Sequence, residues 1–240
     1  MQPRIIAETD ALIAIDKPAG LIAHRDGRNA EPSVSEWLGE TFPECRGVGG
    51  DWVSPQGEAI ALNGLVHRLD RETSGILLAA KTQQEFDRLR GEFKARRVEK
   101  RYRAFVHGHI GREDGEIVAE IERTGGPPRR WVARPCAKDD IRAAITEYAT
   151  IVRLSDPAGY RATYVALSPK TGRTHQLRVH LASIGHPIVG DALYGNGREL
   201  VLGFRRLALH ASEIAIPIAD EVATYVAPLP EDFIAAGAAL

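Results

Sequence analysis

Sulfur is scarce in this chain: only two cysteines, Cys45 and Cys136, stand among 240 residues. They are far apart and outside any pairing or zinc-ligand spacing. A disulfide framework and a cysteine-held zinc site are therefore excluded, and both read as reduced thiols. Long apolar runs are missing too, with no stretch reaching about eighteen residues. Met1 leads straight into a short apolar strand pattern, without a basic-then-apolar leader. The expectation is a cytoplasmic protein with no membrane span and no signal peptide. Neither a P-loop nor a dinucleotide glycine motif occurs. There are no repeats, no linker and no low-complexity segment.

What is present is an ordinary globular composition, 44% hydrophobic and 26% charged, which excludes a disordered chain. The length fits one domain over residues 1–240. The net charge of −1 by itself argues against a nucleic-acid partner, but position matters more than the sum. Six basic residues (Lys94, Arg96, Arg97, Lys100, Arg101, Arg103) fall between positions 94 and 103 against one acid, Glu99. Arg129, Arg130 and Arg134 form a second group, and Arg173 and Arg178 flank a third. By default such runs are solvated faces, and the first gains interest because it leads into Tyr102.

The pattern along the chain predicts more strands than helices. Ile5 to Ile15 reads as two strands around a Glu8-Thr9-Asp10 turn. Ser33 caps a short helix through Leu38. Residues 47–57 are glycine-rich without periodicity and read as an exposed loop. Gly75-Ile76-Leu77-Leu78-Ala79-Ala80 reads as a buried strand. Thr82-Gln83-Gln84-Glu85 has capping-box spacing, opening a helix that carries Phe86, Leu89 and Phe93 and reaches about Arg97. Alternation marks a strand at Tyr102 to His107, with others at residues 116–121, 144–154 and 160–167. Thr171 or Thr174 caps a helix carrying Leu177, Leu181 and Ile184, which Gly185 stops. Residues 207–226 read as strands joined by a turn at Asp220. Most connections are too short for βαβ crossovers. The fold class is α+β, on a largely antiparallel, mixed sheet with flanking helices.

One run stands out: His67-Arg68-Leu69-Asp70-Arg71-Glu72-Thr73-Ser74-Gly75. A lone loop aspartate is usually a solvated or capping residue. This one has Arg68 and Arg71 beside it, and adjacent cations favour the ionised form. Thr73, Ser74 and Gly75 can fix the loop. An ionised, fixed carboxylate can act as nucleophile, base or electrostatic partner, and spacing leaves that choice open.

The run resembles the signature of the RluA-type RNA pseudouridine synthases, with every motif position present. Asp16-Lys17-Pro18-Ala19-Gly20 and Lys100-Arg101-Tyr102 resemble further elements of that family. So do Gly172-Arg173-Thr174-His175-Gln176-Leu177-Arg178-Val179-His180, Gly185-His186-Pro187-Ile188-Val189-Gly190-Asp191 and Ala227-Pro228-Leu229-Pro230-Glu231-Asp232-Phe233. The elements occur in family order over nearly the whole chain.

The resemblance implies the pseudouridine synthase fold with a central RNA-binding cleft. It implies an isomerase of structured ribosomal or transfer RNA, acting as a monomer on a stem-loop. Asp70 would be the catalytic carboxylate, Tyr102 would lie against the flipped uracil, and Arg178 would pair with Asp70. Arg68 would fill the place of the extruded nucleotide. Lys100, Arg101, Arg173, His175 and Gln176 would join Arg68 in contacting RNA. Ile188 or Val189 would wall the uracil pocket. The isomerisation has no redox step and transfers no group, so no cofactor is expected. His175 and His180 have no acidic or thiol partner at zinc spacing, so no metal is expected either. His107 and His109 read as polar residues at a strand end. Many relatives carry an RNA-binding module ahead of the catalytic domain. Here the pattern begins by Ile5, which resembles the compact branch of the family. Target choice is then expected from the domain's own surface, including the loops at residues 47–57 and 125–138. Two other classes compete: an RNA-binding module that keeps the fold without catalysis, and a uracil glycosylase or other hydrolase.

Overall fold

The computed structural model describes residues 2–27, 31–125, 130–155, 159–219 and 221–237. In chain order these form β1 (Arg4–Glu8), β2 (Leu12–Lys17), α1 (Val34–Thr41), β3 (Asp51–Val53), β4 (Ala59–Ala61), β5 (Ser74–Ala80) and α2 (Gln83–Lys94). Then follow β6 (Glu99–His107), β7 (Asp114–Arg123), β8 (Trp131–Arg134), β9 (Ala143–Ser155), β10 (Arg161–Pro169) and α3 (Gln176–Ser183). The last elements are β11 (Leu209–Ile218), β12 (Glu221–Val226) and α4 (Glu231–Gly237). Arg129 and Asp220 lie outside the described residues. Among the described residues no helix is long and apolar enough to cross a membrane.

The chain divides into two compact units. The first takes residues 1–99 and 211–228. In it β2 pairs antiparallel with both β1 and β5, β5 neighbours β11, and β11 pairs antiparallel with β12. β2 and β5 are buried along their whole length, so their continuous apolar runs face packed neighbours on both sides. Ile13, Ile15, Leu38, Ile76, Leu77, Leu78 and Leu89 fill the interior. The Ser33 hydroxyl accepts from the Glu36 N–H at the start of α1, and the Thr82 hydroxyl accepts from Glu85 at the start of α2. Both caps fall where the spacing predicts. Helix α2 stops at Lys94, short of the expected Arg97, because Arg96 turns into the left-handed region at φ +58°.

The second unit takes residues 100–210 and 229–240. Its strands run β6-β10-β9-β7-β8, each antiparallel to the next. Phe105 lies near the centre of an apolar cluster. It stacks on Tyr164 with ring centroids 4.5 Å apart and meets Phe204 and Phe233 at 5.2 and 5.5 Å. Ile188 and Val189 are wholly buried in this cluster.

Several local expectations change. The loop at residues 47–57 contains β3 and leads through a Ser54–Glu58 turn into β4; three-residue strands are too short for periodicity to reveal. Within the loop at residues 125–138, Trp131–Arg134 form β8. Neither Thr171 nor Thr174 caps α3. Its N-cap is His175, at φ +55° and without a side-chain cap, while the Thr171 hydroxyl donates to Gln176 Oε1 at 2.7 Å. His107 is not at the surface but 2% exposed, and burial lowers its pKa.

Gly75 shows why the motif ends in glycine. Its φ is +114°, and a Cβ there would lie 2.1 Å from the Ala211 carbonyl oxygen. Gly75→Ala is expected to cost about 2–5 kcal/mol, from backbone strain plus overpacking. Urea denaturation should show the loss as a lower midpoint at unchanged slope.

Candidate active site

Asp70 lies on the segment leading into β5, half-buried, at the first position of a turn closed by the Thr73 N–H donating to the Asp70 carbonyl at 3.1 Å. That turn is held from beneath. Lys17 closes β2 and is fully buried. Its ammonium donates to the carbonyls of Pro18 and Leu21 at 2.8 Å each and of Arg71 at 3.0 Å. The Arg71 carbonyl also accepts from the Gly20 N–H at 2.8 Å. The Asp16-Lys17-Pro18-Ala19-Gly20 element is therefore a brace for the Asp70 turn. No reading of spacing alone assigned Lys17 this part; a lysine ending a continuous apolar strand was the available signal.

Other contacts fix the remainder of the run. His67 Nε2 accepts from the Leu78 N–H at 3.0 Å, and its ring lies 4.7 Å from that of Phe93. Arg90 donates to the Val66 carbonyl at 3.2 Å, and Arg71 pairs with Glu31. Leu69, Thr73 and Ser74 are buried, whereas Arg68 is exposed. The loop thus leaves two cations exposed on a pinned backbone, Arg68 and the Glu31-paired Arg71.

In the second unit, Tyr102 sits on β6 opposite Leu167, half-buried and packed on the apolar cluster. Arg101 and Arg173 are exposed and Lys100 is half-buried. Arg178, on α3, forms a two-pronged pair with Asp191: Nε and Nη2 each donate to a carboxylate oxygen at 2.8 Å. The Asp191 side chain is 0% exposed and that of Arg178 12%. Asp191 Oδ1 also accepts from the N–H groups of Leu193 and Tyr194 at 2.9 Å. Burial pushes the Asp191 carboxyl upward, but Arg178 and these two N–H groups outweigh it and hold the group below its ordinary range. The Arg178 guanidinium lies 5.1 Å from the Tyr194 ring centroid, within reach of a cation–π attraction. The Tyr194 hydroxyl accepts from the Trp131 N–H at 3.2 Å and meets His175 Nδ1 at 2.9 Å. Arg178 and His175 are thereby brought together through Asp191 and Tyr194, neither of which sequence reasoning had picked out for a role. Asp191 closes one of the elements that resemble the family, and Tyr194 follows three residues later, but that pattern assigns neither a partner.

Gln176 behaves differently from its neighbours. It is 4% exposed, and both ends of its amide bond internally. Oε1 accepts from the Thr171 hydroxyl and the Arg173 N–H, and Nε2 donates to the Ile145 carbonyl and Thr146 Oγ1. His180 Nδ1 shares a 2.9 Å hydrogen bond with the same Thr146 hydroxyl. This buried network sets the turn at residues 171–175 on β9.

With the elements in place, the chain matches the family model described as RNA pseudouridylate synthase over residues 11–183. This chain belongs to the RNA pseudouridylate synthase family. It is 36% identical over 213 residues to the dual-specificity RNA pseudouridine synthase RluA of Vibrio parahaemolyticus, covering 88% of this chain and 76% of that one. It is 31% identical to the ribosomal large subunit pseudouridine synthase D of Zymomonas mobilis, covering 95% and 69%. The chain spans about two thirds of the length of such curated relatives, 66% in one case. Among solved structures, human RNA pseudouridylate synthase domain containing 1 superposes with a TM-score of 0.72 at 27% identity, over 95% of this chain and 84% of that one.

For this member of the synthase family, two buried groups in the second unit yield predictions. Asp191→Ala would strand a mostly buried guanidinium and is expected to cost about 3–5 kcal/mol, read as a lower urea midpoint. His180 is fully buried, and burial pushes its pKa down from 6.5 to about 4. The unfolded chain therefore takes up this proton below pH 6.5 while the folded one does not until about pH 4. Stability should fall as pH drops through that window, by up to about 3 kcal/mol for this group. In His180→Gln, denaturation measured from pH 7 to 4 should show a shallower slope.

Proposed function

We propose that this chain isomerises uridine to pseudouridine in ribosomal or transfer RNA, with Asp70 as the carboxylate that acts at the glycosidic bond. The observation that carries the reading is Asp70 itself. It is the aspartate of the His-Arg-Leu-Asp run in a family of RNA pseudouridylate synthases, set on a turn that a buried lysine braces.

The reaction cleaves a nitrogen–carbon bond, turns the base, joins its carbon five to the sugar and sheds the proton there. A target must first leave its stack, at roughly a few kcal/mol, and poorly stacked loops lower that cost. By the family resemblance, Tyr102 lies on the uracil face and Arg178 is the counter-charge that orients the Asp70 carboxylate. Arg68 occupies the gap in the RNA. Its exposure beside a fixed backbone suits that part. Lys100, Arg101 and Arg173 supply phosphate contacts. His175, held by Tyr194, reaches RNA from the turn before α3, and Gln176 holds that turn from inside. In this reading the chain is a catalytic domain that acts as a monomer in the cytoplasm, on a stem-loop.

Uridine tritiated at carbon five, in deproteinised total transfer and ribosomal RNA from cells lacking the gene, tests this. Wild-type protein should release tritium, and Asp70→Asn should lose the rate by about 10³-fold or more. A protein that only binds RNA would release none, and a glycosylase would liberate free uracil. Normal release by Asp70→Asn would overturn the assignment of Asp70.

A further inference from the structure

The first unit carries a pair of aromatic rings that the reaction leaves without a part. Trp52, on β3, and His24, on the segment between β2 and α1, have ring centroids 4.9 Å apart at an interplanar angle of 53°. Both are half-buried, so each keeps surface open to solvent. Neither packs into the interior of the unit as Leu38 or Ile76 does.

This pair sits on a built support. In the β3–β4 hairpin the Ser54 carbonyl and N–H close the turn with Gly57 and Glu58, and the buried Ser54 hydroxyl accepts from the N–H groups of Gln56 and Glu58. The segment bearing His24 is fitted against that turn: a Cβ on Gly27 would lie 2.4 Å from Ser54 Oγ. His24 Nδ1 lies 2.7 Å from the Arg25 carbonyl, which orients the imidazole and makes Nδ1 its donor.

The same segment is tied to the Asp70 turn. Lys17 binds the carbonyls of both Leu21 and Arg71, and Gly20 donates to Arg71. Arg68 lies near enough for its charge to act on the His24 ring. The indole and imidazole thus pack on each other where the segment bearing His24 is hydrogen-bonded, through Gly20 and Lys17, to the turn of the proposed catalytic aspartate, and the exposed Arg68 acts on the imidazole through its charge. Solvent-open flat π faces, with positive charge in the neighbourhood, are the chemistry that takes up an unstacked nucleobase.

We infer that Trp52 and His24 form a stacking platform for an unpaired RNA base flanking the target nucleotide. Resting on the function proposed above, this makes the β3–β4 hairpin a determinant of which stem-loop is accepted. A base splayed from the loop lies on the Trp52 face, while Arg68 engages the neighbouring gap. Recognition is by shape and stacking, so the platform favours a loop with a free base at that position over any one base identity.

Binding and chemistry are measured separately. Trp52→Leu keeps apolar contact with His24 but loses the π face, whereas Trp52→Phe keeps both. With deproteinised total transfer RNA and, separately, ribosomal RNA as probes, Trp52→Leu should weaken binding about tenfold. Trp52→Phe should recover most of that loss. Single-turnover tritium release at saturating RNA should stay within about twofold for both. In a Trp37→Phe, Trp131→Phe background Trp52 is the only indole, and RNA should quench its emission. Thermal melting confirms that the variants are folded. Folded Trp52→Leu binding both probes as tightly as wild type, or Trp52 emission unmoved at saturating RNA, would overturn the platform. Loss of the pseudouridine synthase reading would appear instead as absent tritium release from wild type, with the binding measurements still readable.

Discussion

A buried ammonium organises the loop that carries Asp70. Lys17 has three N–H donors and three backbone carbonyls within hydrogen-bond distance, so the cost of removing a cation from water is offset by matched acceptors. Two of those carbonyls belong to the segment just after β2 and one to the turn that begins at Asp70. One side chain therefore couples the end of a wholly buried strand to the position of the aspartate. A carboxylate on a freely moving loop would lose the orientation that catalysis by proximity needs.

The second unit applies the same logic with opposite charges. Asp191 is wholly buried, grips Arg178 through two parallel hydrogen bonds and accepts two backbone N–H groups as well. Such a pair is costly to bury and more costly to break, so it acts as a fixed point. Tyr194 extends it, placing its ring by Arg178 and its hydroxyl on His175. The Thr171–Gln176–Thr146–His180 network sets the preceding turn. In both units, exposed cations are presented by backbone that buried polar groups have already fixed.

Much of this was legible from local patterns. The Ser33 and Thr82 caps act through side chains and N–H groups three residues apart, so their signals lie wholly within a short window. Two short strands around the Glu8-Thr9-Asp10 turn foretold β1 and β2, an apolar run marked β5, and alternation marked β6. The hairpin β3–β4, strand β8 and helix α4 escaped because each is short and draws its order from what it packs against. The left-handed His175 N-cap was hidden for a related reason: Thr171 is drawn away to a hydrogen bond with Gln176, which outweighs local cap preference.

The sequence by itself determined the family, the α+β class, and the candidate aspartate in its His-Arg-Leu-Asp run. These reside in residue identity and spacing, which survive without coordinates. Only the tertiary structure decided what holds that aspartate and its companions. Lys17 meets Arg71 across 54 positions, Asp191 meets Arg178 across 13, and Trp52 meets His24. No local window contains both members of such a pair. Their energies depend on burial and on which donors and acceptors the fold leaves facing one another, and that is a property of packing.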